Sequence, residues 1–194
     1  MNFRSRIILY GFLSFATIMF SCLRKDRTTE ETLAQMLSTN VNLCFSRMEK
    51  CTISSCVDME NNCDTSLTKY RLVVFSDSTE CTPCLISRMS DWKDVSHELF
   101  FDSCRSIKLL FIYSPSHDNI QKTKQFVENL SPEWPIYLDT ANIFIRENKQ
   151  IPVNRQFHVF LLNEENEILC VGNPLYNKKM RNIYKRIIKG EYNF

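Results

Sequence analysis

Glycine is almost missing from this chain. The 194 residues hold three, Gly11, Gly172 and Gly190. No glycine-rich loop that could cradle phosphates against backbone N–H groups can be drawn from them, so nucleotide-dependent chemistry lacks its usual binding device. A surplus of one charge is missing too, with 24 Lys and Arg against 22 Asp and Glu. Nucleic acid is therefore a poor candidate partner, because phosphate binding needs a basic excess on one face. No apolar run is long enough to span a bilayer comfortably, which takes about 20 residues. Internal repeats and low-complexity tracts are absent as well. What the chain does have is cysteine, nine in all.

Cysteine chemistry depends on compartment, and the opening residues "MNFRSRIILYGFLSFATIMFSC" address that question. Arg4 and Arg6 precede the short apolar stretch Ile7 to Phe20, the layout of a secretory leader rather than of an anchor. The stretch ends on Ser21 and Cys22, which resembles the lipobox of bacterial lipoproteins in the loose form common in Bacteroidota, with Phe20 where stricter versions carry a small residue. The resemblance implies cleavage before Cys22 and acylation of that cysteine, giving a bacterial envelope protein held by lipid and facing the periplasm or the cell surface. Several acyl chains hold a membrane durably where one is marginal. An ordinary leader and a free secreted protein is the alternative. Loss of residues 1–21 removes two basic residues and no acidic ones, leaving 22 of each and formal neutrality.

The roughly 170 residues that remain suffice for one domain with a good core plus an extension. Residues 22–66 read as a polar, irregular, cysteine-rich extension, partly helical between Glu30 and Met48. From 67 to 194 the pattern becomes regular. Arg71 to Asp77 is a buried strand, carrying the continuous run Leu72, Val73, Val74 and Phe75. Leu85, Met89, Trp92, Val95 and Leu99 recur at helical spacing in a helix starting at or near Cys84. Ile107 to Tyr113 is a second strand, Asp118 to Leu130 a helix, Ile136 to Asp139 a third strand, and Ala141 to Arg146 a helical turn. Phe157 to Leu162 and Glu167 to Val171 form a hairpin around the polar turn "NEENE", and Asn177 to Lys189 is an amphipathic helix. Strands separated by helices require parallel crossovers, while the hairpin adds an antiparallel edge.

Between the first strand and helix lies "VFSDSTECTPC", with Cys81 and Cys84 two residues apart. A buried strand, a C-x-x-C motif at a helix start and this order of elements resemble the thioredoxin fold, and most of all the membrane-anchored thiol–disulfide oxidoreductases of the TlpA type. Together with "FHVFLLNEENEILCVGNP", the motif resembles the thioredoxin-like lipoproteins of Bacteroidota. The resemblance implies an α/β, three-layer fold with a central mixed sheet flanked by helices. It also implies disulfide exchange with envelope proteins, fed by an electron donor that the sequence does not name, and no cofactor.

The motif's chemistry can be stated from its residues. Only a thiolate attacks a disulfide, and an ordinary thiol is mostly protonated at neutral pH. A helix start offers unpaired N–H groups and the positive end of a dipole, which favour a thiolate at Cys81. Pro83 fits a first turn, where its missing N–H costs nothing, and stiffens the loop that holds Cys84 within reach. Cys81 is thus the candidate nucleophile and Cys84 the resolving thiol. Glu80 and Asp77 oppose a neighbouring thiolate, so the dithiol form is expected to be a donor of electrons, a reductase or isomerase rather than a strong oxidant.

One departure is plain. Members of the family place a cis-proline before the strand facing the motif, and here Phe157 takes that place, with Pro152 five residues earlier. A cis bond before a residue other than proline costs about 3 to 4 kcal/mol, so a trans bond is expected. His158, next to Phe157, is a candidate proton carrier, with an ordinary structural role as the competing reading. A noncatalytic binding module of the same fold, with a fixed Cys81–Cys84 bridge, is the alternative to the enzyme.

Cys44, Cys51, Cys56 and Cys63 are an even set, suited to two structural disulfides with three possible pairings. Their gaps of six, four and six residues lack the short paired spacing of zinc sites, so no metal is expected. Cys104 and Cys170 read as buried small apolar residues, without an assigned pairing. A peroxidatic site would want a proline where Val74 stands, and a copper chaperone would want C-x-x-x-C. The basic face of "NKKMRNIYKRIIK" reads as a solvated helix face, anionic lipid being the competing reading.

Overall fold

The computed structural model describes residues 28–37, 39–51, 69–100, 107–130 and 134–191. Two compact units are distinguished, Met1–Thr32 and Leu33–Phe194. Of the first, residues 28–32 are described, and they open helix α1 (Thr29–Leu37). Its start is a reciprocal cap: Glu31 N donates to Thr28 Oγ1 at 3.2 Å, and Thr28 N donates to Glu31 Oε2 at 3.0 Å. Two otherwise unpaired backbone donors are satisfied at once.

The second unit is built on one six-stranded sheet. Its strands are β1 (Glu49–Cys51), β2 (Tyr70–Ser76), β3 (Ile107–Tyr113), β4 (Ile136–Leu138), β5 (Val159–Leu162) and β6 (Ile168–Val171), in the order β1-β4-β3-β2-β5-β6. β2, β3 and β4 run parallel, while β5 is antiparallel to β2, β6 to β5 and β1 to β4. The helices are α2 (Thr82–Ser87), α3 (Trp92–Phe100), α4 (Ile120–Leu130), α5 (Ile143–Glu147) and α6 (Lys178–Lys189). A parallel β2-α2-β3 unit joined through one sheet to an antiparallel β5-β6 pair and a closing helix is the thioredoxin-like arrangement.

Why the central strands carry apolar residues at successive positions is visible in the core. Side chains alternate between faces with a period of two, and here both faces are covered. Leu72, Leu109, Phe111, Tyr113, Leu138 and Leu161 point into one buried cluster with Ile86, Met89, Trp92, Val127 and Tyr184 from the helices. Their immediate neighbours Val73, Phe75, Leu110, Ile112, Tyr137 and Phe160 point into the other, with Met36, Val41, Phe144 and Ile151.

The two described glycines of this unit occupy the positions that need them. Gly190 closes α6 in the left-handed region, at φ 75°, where a side chain is penalised. Gly172 sits at φ 138°, and a Cβ there would lie 2.8 Å from Met180 Cε.

The largest difference from the sequence reading lies in residues 33–51. The sequence reads them as part of a polar, irregular extension, partly helical between Glu30 and Met48, and α1 supplies that helix. They also form a strap across the second face of the sheet. Met36 and Val41 are fully buried. Phe45 stacks on Tyr137 with ring centroids 4.1 Å apart. Asn148, itself buried, substitutes for a neighbouring strand: its Oδ1 accepts from Asn42 N at 2.8 Å and its Nδ2 donates to Asn42 O at 2.9 Å. At one border Asn40 bridges to Glu167 beside β6, and at the other the strap ends as β1 along β4. Leader residues 1–21, Cys22, Cys56, Cys63 and Cys104 lie outside the described residues.

Candidate functional site

The chain leaves β2 at Ser76 and must turn before entering α2. Asp77 makes that turn by accepting from Thr79 N at 2.9 Å and Thr79 Oγ1 at 2.5 Å, while Glu80 N donates to Asp77 O at 3.2 Å. Cys81 follows as the residue capping α2, with Leu85 N donating to its carbonyl at 3.1 Å. Pro83 lies in the first turn, where no donor is lost. The helix therefore starts at Thr82, two residues before Cys84, with Pro83 in its first turn and Cys81 just ahead of it, as the sequence suggests.

The long helix expected through Leu99 is also broken. Ser87 Oγ donates to Cys84 O at 2.9 Å, and Arg88 stands at φ −100°, ψ 10°. A tight turn, Met89–Asp91, then leads into α3. Local side-chain competition for backbone partners is the physical reason.

Thr82, Ile86 and Met89 face the core, which turns Cys81 and Cys84 to the outside. The two sulfurs are joined in a disulfide, their Cα atoms 5.3 Å apart, and both residues are exposed. Thr82 between them is 1% exposed, and its Oγ1 has no hydrogen-bond partner.

Facing this loop is the segment entering β5. Phe157 and His158, expected in the strand, precede it. Asn154 accepts from Gln156 N at 3.2 Å and starts a single tight turn over Arg155–Phe157. Phe157 is buried in the second cluster. No cis peptide occurs among the described residues, as a residue other than proline at this position requires.

His158 is buried, with its Nε2 2.9 Å from Pro152 O. A carbonyl only accepts, so Nε2 is the donor, and Nδ1 has no hydrogen-bond partner. The ring packs on Phe75 at 4.8 Å, on the face of the sheet opposite to α2's core side chains. It has no hydrogen bond to either sulfur, and the structure gives it a packing role.

Sequence reasoning missed Arg155. Its Nη2 donates to Thr79 O at 3.2 Å and Thr79 Oγ1 at 3.1 Å, and its Nε lies 3.6 Å from Glu80 Oε1. Nothing local marks it, since its partners are 76 residues away in sequence. Glu80's side chain is 17% exposed. Its charge is felt at Tyr113, whose phenol is pushed far up, first by burial and then by Glu80.

The remaining thiols are of two kinds. Cys44 and Cys51 are partly exposed and free, Cys44 Sγ accepting from Arg47 Nη2 at 3.3 Å. Burial, and then Glu49, pushes the Cys51 thiol up. Cys170, buried in β6, is pushed up to about 11, chiefly by burial. Among the described residues no cluster of His, Cys, Asp or Glu is disposed to hold a metal, and no helix is long and apolar enough to cross a membrane.

These buried protons have a measurable consequence. Cys170, Tyr113 and Tyr184 keep theirs in the fold at pH values where exposed thiols and phenols, at about 8.5 and 10, release them. Above pH 9 the unfolded chain binds fewer protons than the folded one, so stability falls as pH rises. Urea midpoints are expected to decline steadily from pH 8.5 to 11. A flat profile contradicts this assignment. Cys170 should also resist alkylation at pH 8 until the chain is unfolded, as peptide mass spectrometry will show.

No family model and no curated protein matches this chain. Solved structures do overlay on it in part. StoA from Bacillus subtilis is 25% identical, covering 54% of this chain and 75% of its own, with a TM-score of 0.38. A thioredoxin-like protein from Bacteroides caccae is 17% identical, covering 80% and 52%, at 0.44. The exposed lipoprotein thioredoxin of Streptococcus pneumoniae is 13% identical, covering 72% and 98%, at 0.43.

Proposed function

We propose that this protein is a thiol–disulfide oxidoreductase whose working pair is Cys81 and Cys84. The observation that supports this best is the solvent-exposed Cys81–Cys84 disulfide at the first turn of α2, directly beyond the end of a central strand. In the reduced protein the Cys81 thiolate attacks one sulfur of a substrate disulfide. One substrate sulfur leaves as a thiolate and the other stays in a mixed disulfide with Cys81. The Cys84 thiolate then attacks the Cys81 sulfur, re-forming the bond seen here and expelling the second substrate thiolate. Two electrons pass from protein to substrate, and solvent protonates the leaving thiolates. A dithiol donor returns the pair to its reduced state.

The leader and Cys22 add an address to this reading: a lipid-held protein of the bacterial envelope, acting as reductase or isomerase on disulfide-bearing envelope proteins. The competing reading is a binding module with a fixed bridge, and one feature favours it. Phe157 replaces the proline that would align a substrate chain.

Incubation in buffers of graded reduced and oxidised dithiothreitol separates the two. An exchange protein will titrate reversibly between disulfide and dithiol, followed by alkylation of Cys81 and Cys84 and intact mass. A bridge that remains closed across the whole series, while the fold stays intact, refutes the oxidoreductase.

A further inference from the structure

The sequence places a carboxylate, Glu80, immediately before Cys81, and the structure shows that this carboxylate does not stand alone. Arg155 reaches across from the segment before β5 and holds the motif loop at three points: Thr79 O at 3.2 Å, Thr79 Oγ1 at 3.1 Å and, through Nε, Glu80 Oε1 at 3.6 Å. Asp77 and Glu80 belong to the loop, Tyr113 comes from β3 and is buried, and Arg155 comes from the facing segment. Arg155 is the cation that the structure pairs with Glu80.

We propose that Arg155 is a positioning residue that fixes Glu80 and offsets its charge beside Cys81, and so sets the reduction potential of the Cys81–Cys84 pair. This rests on the exchange reading above and adds the group that tunes it. The oxidised pair carries no charge at Cys81, whereas the reduced pair carries one whenever the thiol ionises. A field at that sulfur therefore acts on the dithiol form alone. With its arginine in place, Glu80 opposes the thiolate only weakly. Freed of it, a mostly covered carboxylate raises the thiol's pKa and disfavours the reduced state.

The test is the equilibrium of full-length protein with dithiothreitol: protein disulfide plus dithiothreitol gives protein dithiol plus cyclic dithiothreitol disulfide. Arg155→Gln is expected to lower the equilibrium constant for reduction about fivefold and to move the alkylation profile of Cys81 to higher pH. Glu80→Gln should shift both the opposite way. In the Glu80→Gln background, Arg155→Gln should lose most of its effect, and Arg155→Lys should restore part of it in the native one.

An Arg155→Gln protein with an unchanged equilibrium constant and alkylation profile overturns the proposal. So does an effect of equal size with and without Glu80. A native pair that cycles while Arg155 is silent sinks this inference alone. A native pair that never opens sinks the exchange reading and this one together.

Discussion

A Cys84→Ser variant is expected to accumulate as a mixed disulfide with its substrate through Cys81, while Cys81→Ser forms none and loses exchange by about 10³-fold. The asymmetry follows from position. Cys81 caps α2, where the first N–H groups of the helix and its dipole favour an anion. Cys84 lies three residues further along, at the end of the first turn, where that effect is falling off. Removing the first sulfur deletes the nucleophile. Removing the second leaves attack intact and deletes only the step that releases the partner. Non-reducing gels of envelope extracts, followed by mass spectrometry of the shifted bands, read both outcomes. Equal trapping by the two variants would mean that either sulfur can start the reaction, and the assignment of roles would fall.

Met36→Ala is expected to destabilise the fold by about 2 to 5 kcal/mol in urea titrations, a figure typical of a fully buried methionine cut to alanine. Met36 is 0% exposed and packs in the cluster that contains Val73, Leu110, Phe144 and Phe160. The result decides a question about architecture. If residues 33–51 were a loose extension, the substitution would cost under about 1 kcal/mol, as surface changes do. A large cost makes the strap part of the domain and forbids trimming it.

How much of this was legible in the residues differs from element to element. Ile107 to Tyr113 was readable to its ends, because a run apolar on both faces has one stable home in a covered parallel sheet. The two cysteines and their helix start were readable from chemistry and from Pro83. The strap was not. Glu49, Lys50 and Cys51 carry no strand signal, and their pairing with β4 is a property of the edge they meet. Val41 and Met36 are single apolar residues among polar ones, buried by a surface that the distant sequence builds. The early end of α2 depends on hydroxyl and backbone geometry at Ser87 and Arg88, below the resolution of a periodicity argument. Arg155 and Glu80 meet only because β5 returns beside β2.

The strap has one more effect. A β-sheet whose outer strands are bare invites foreign strands to add, which is a common route into insoluble fibrils. Here residues 33–51 reach both borders, with one bridge from Asn40 to Glu167 beside β6 and a short strand lying along β4. One proteolytic nick that released them would bare the edge of β4 and remove the contact beside β6 in a single step.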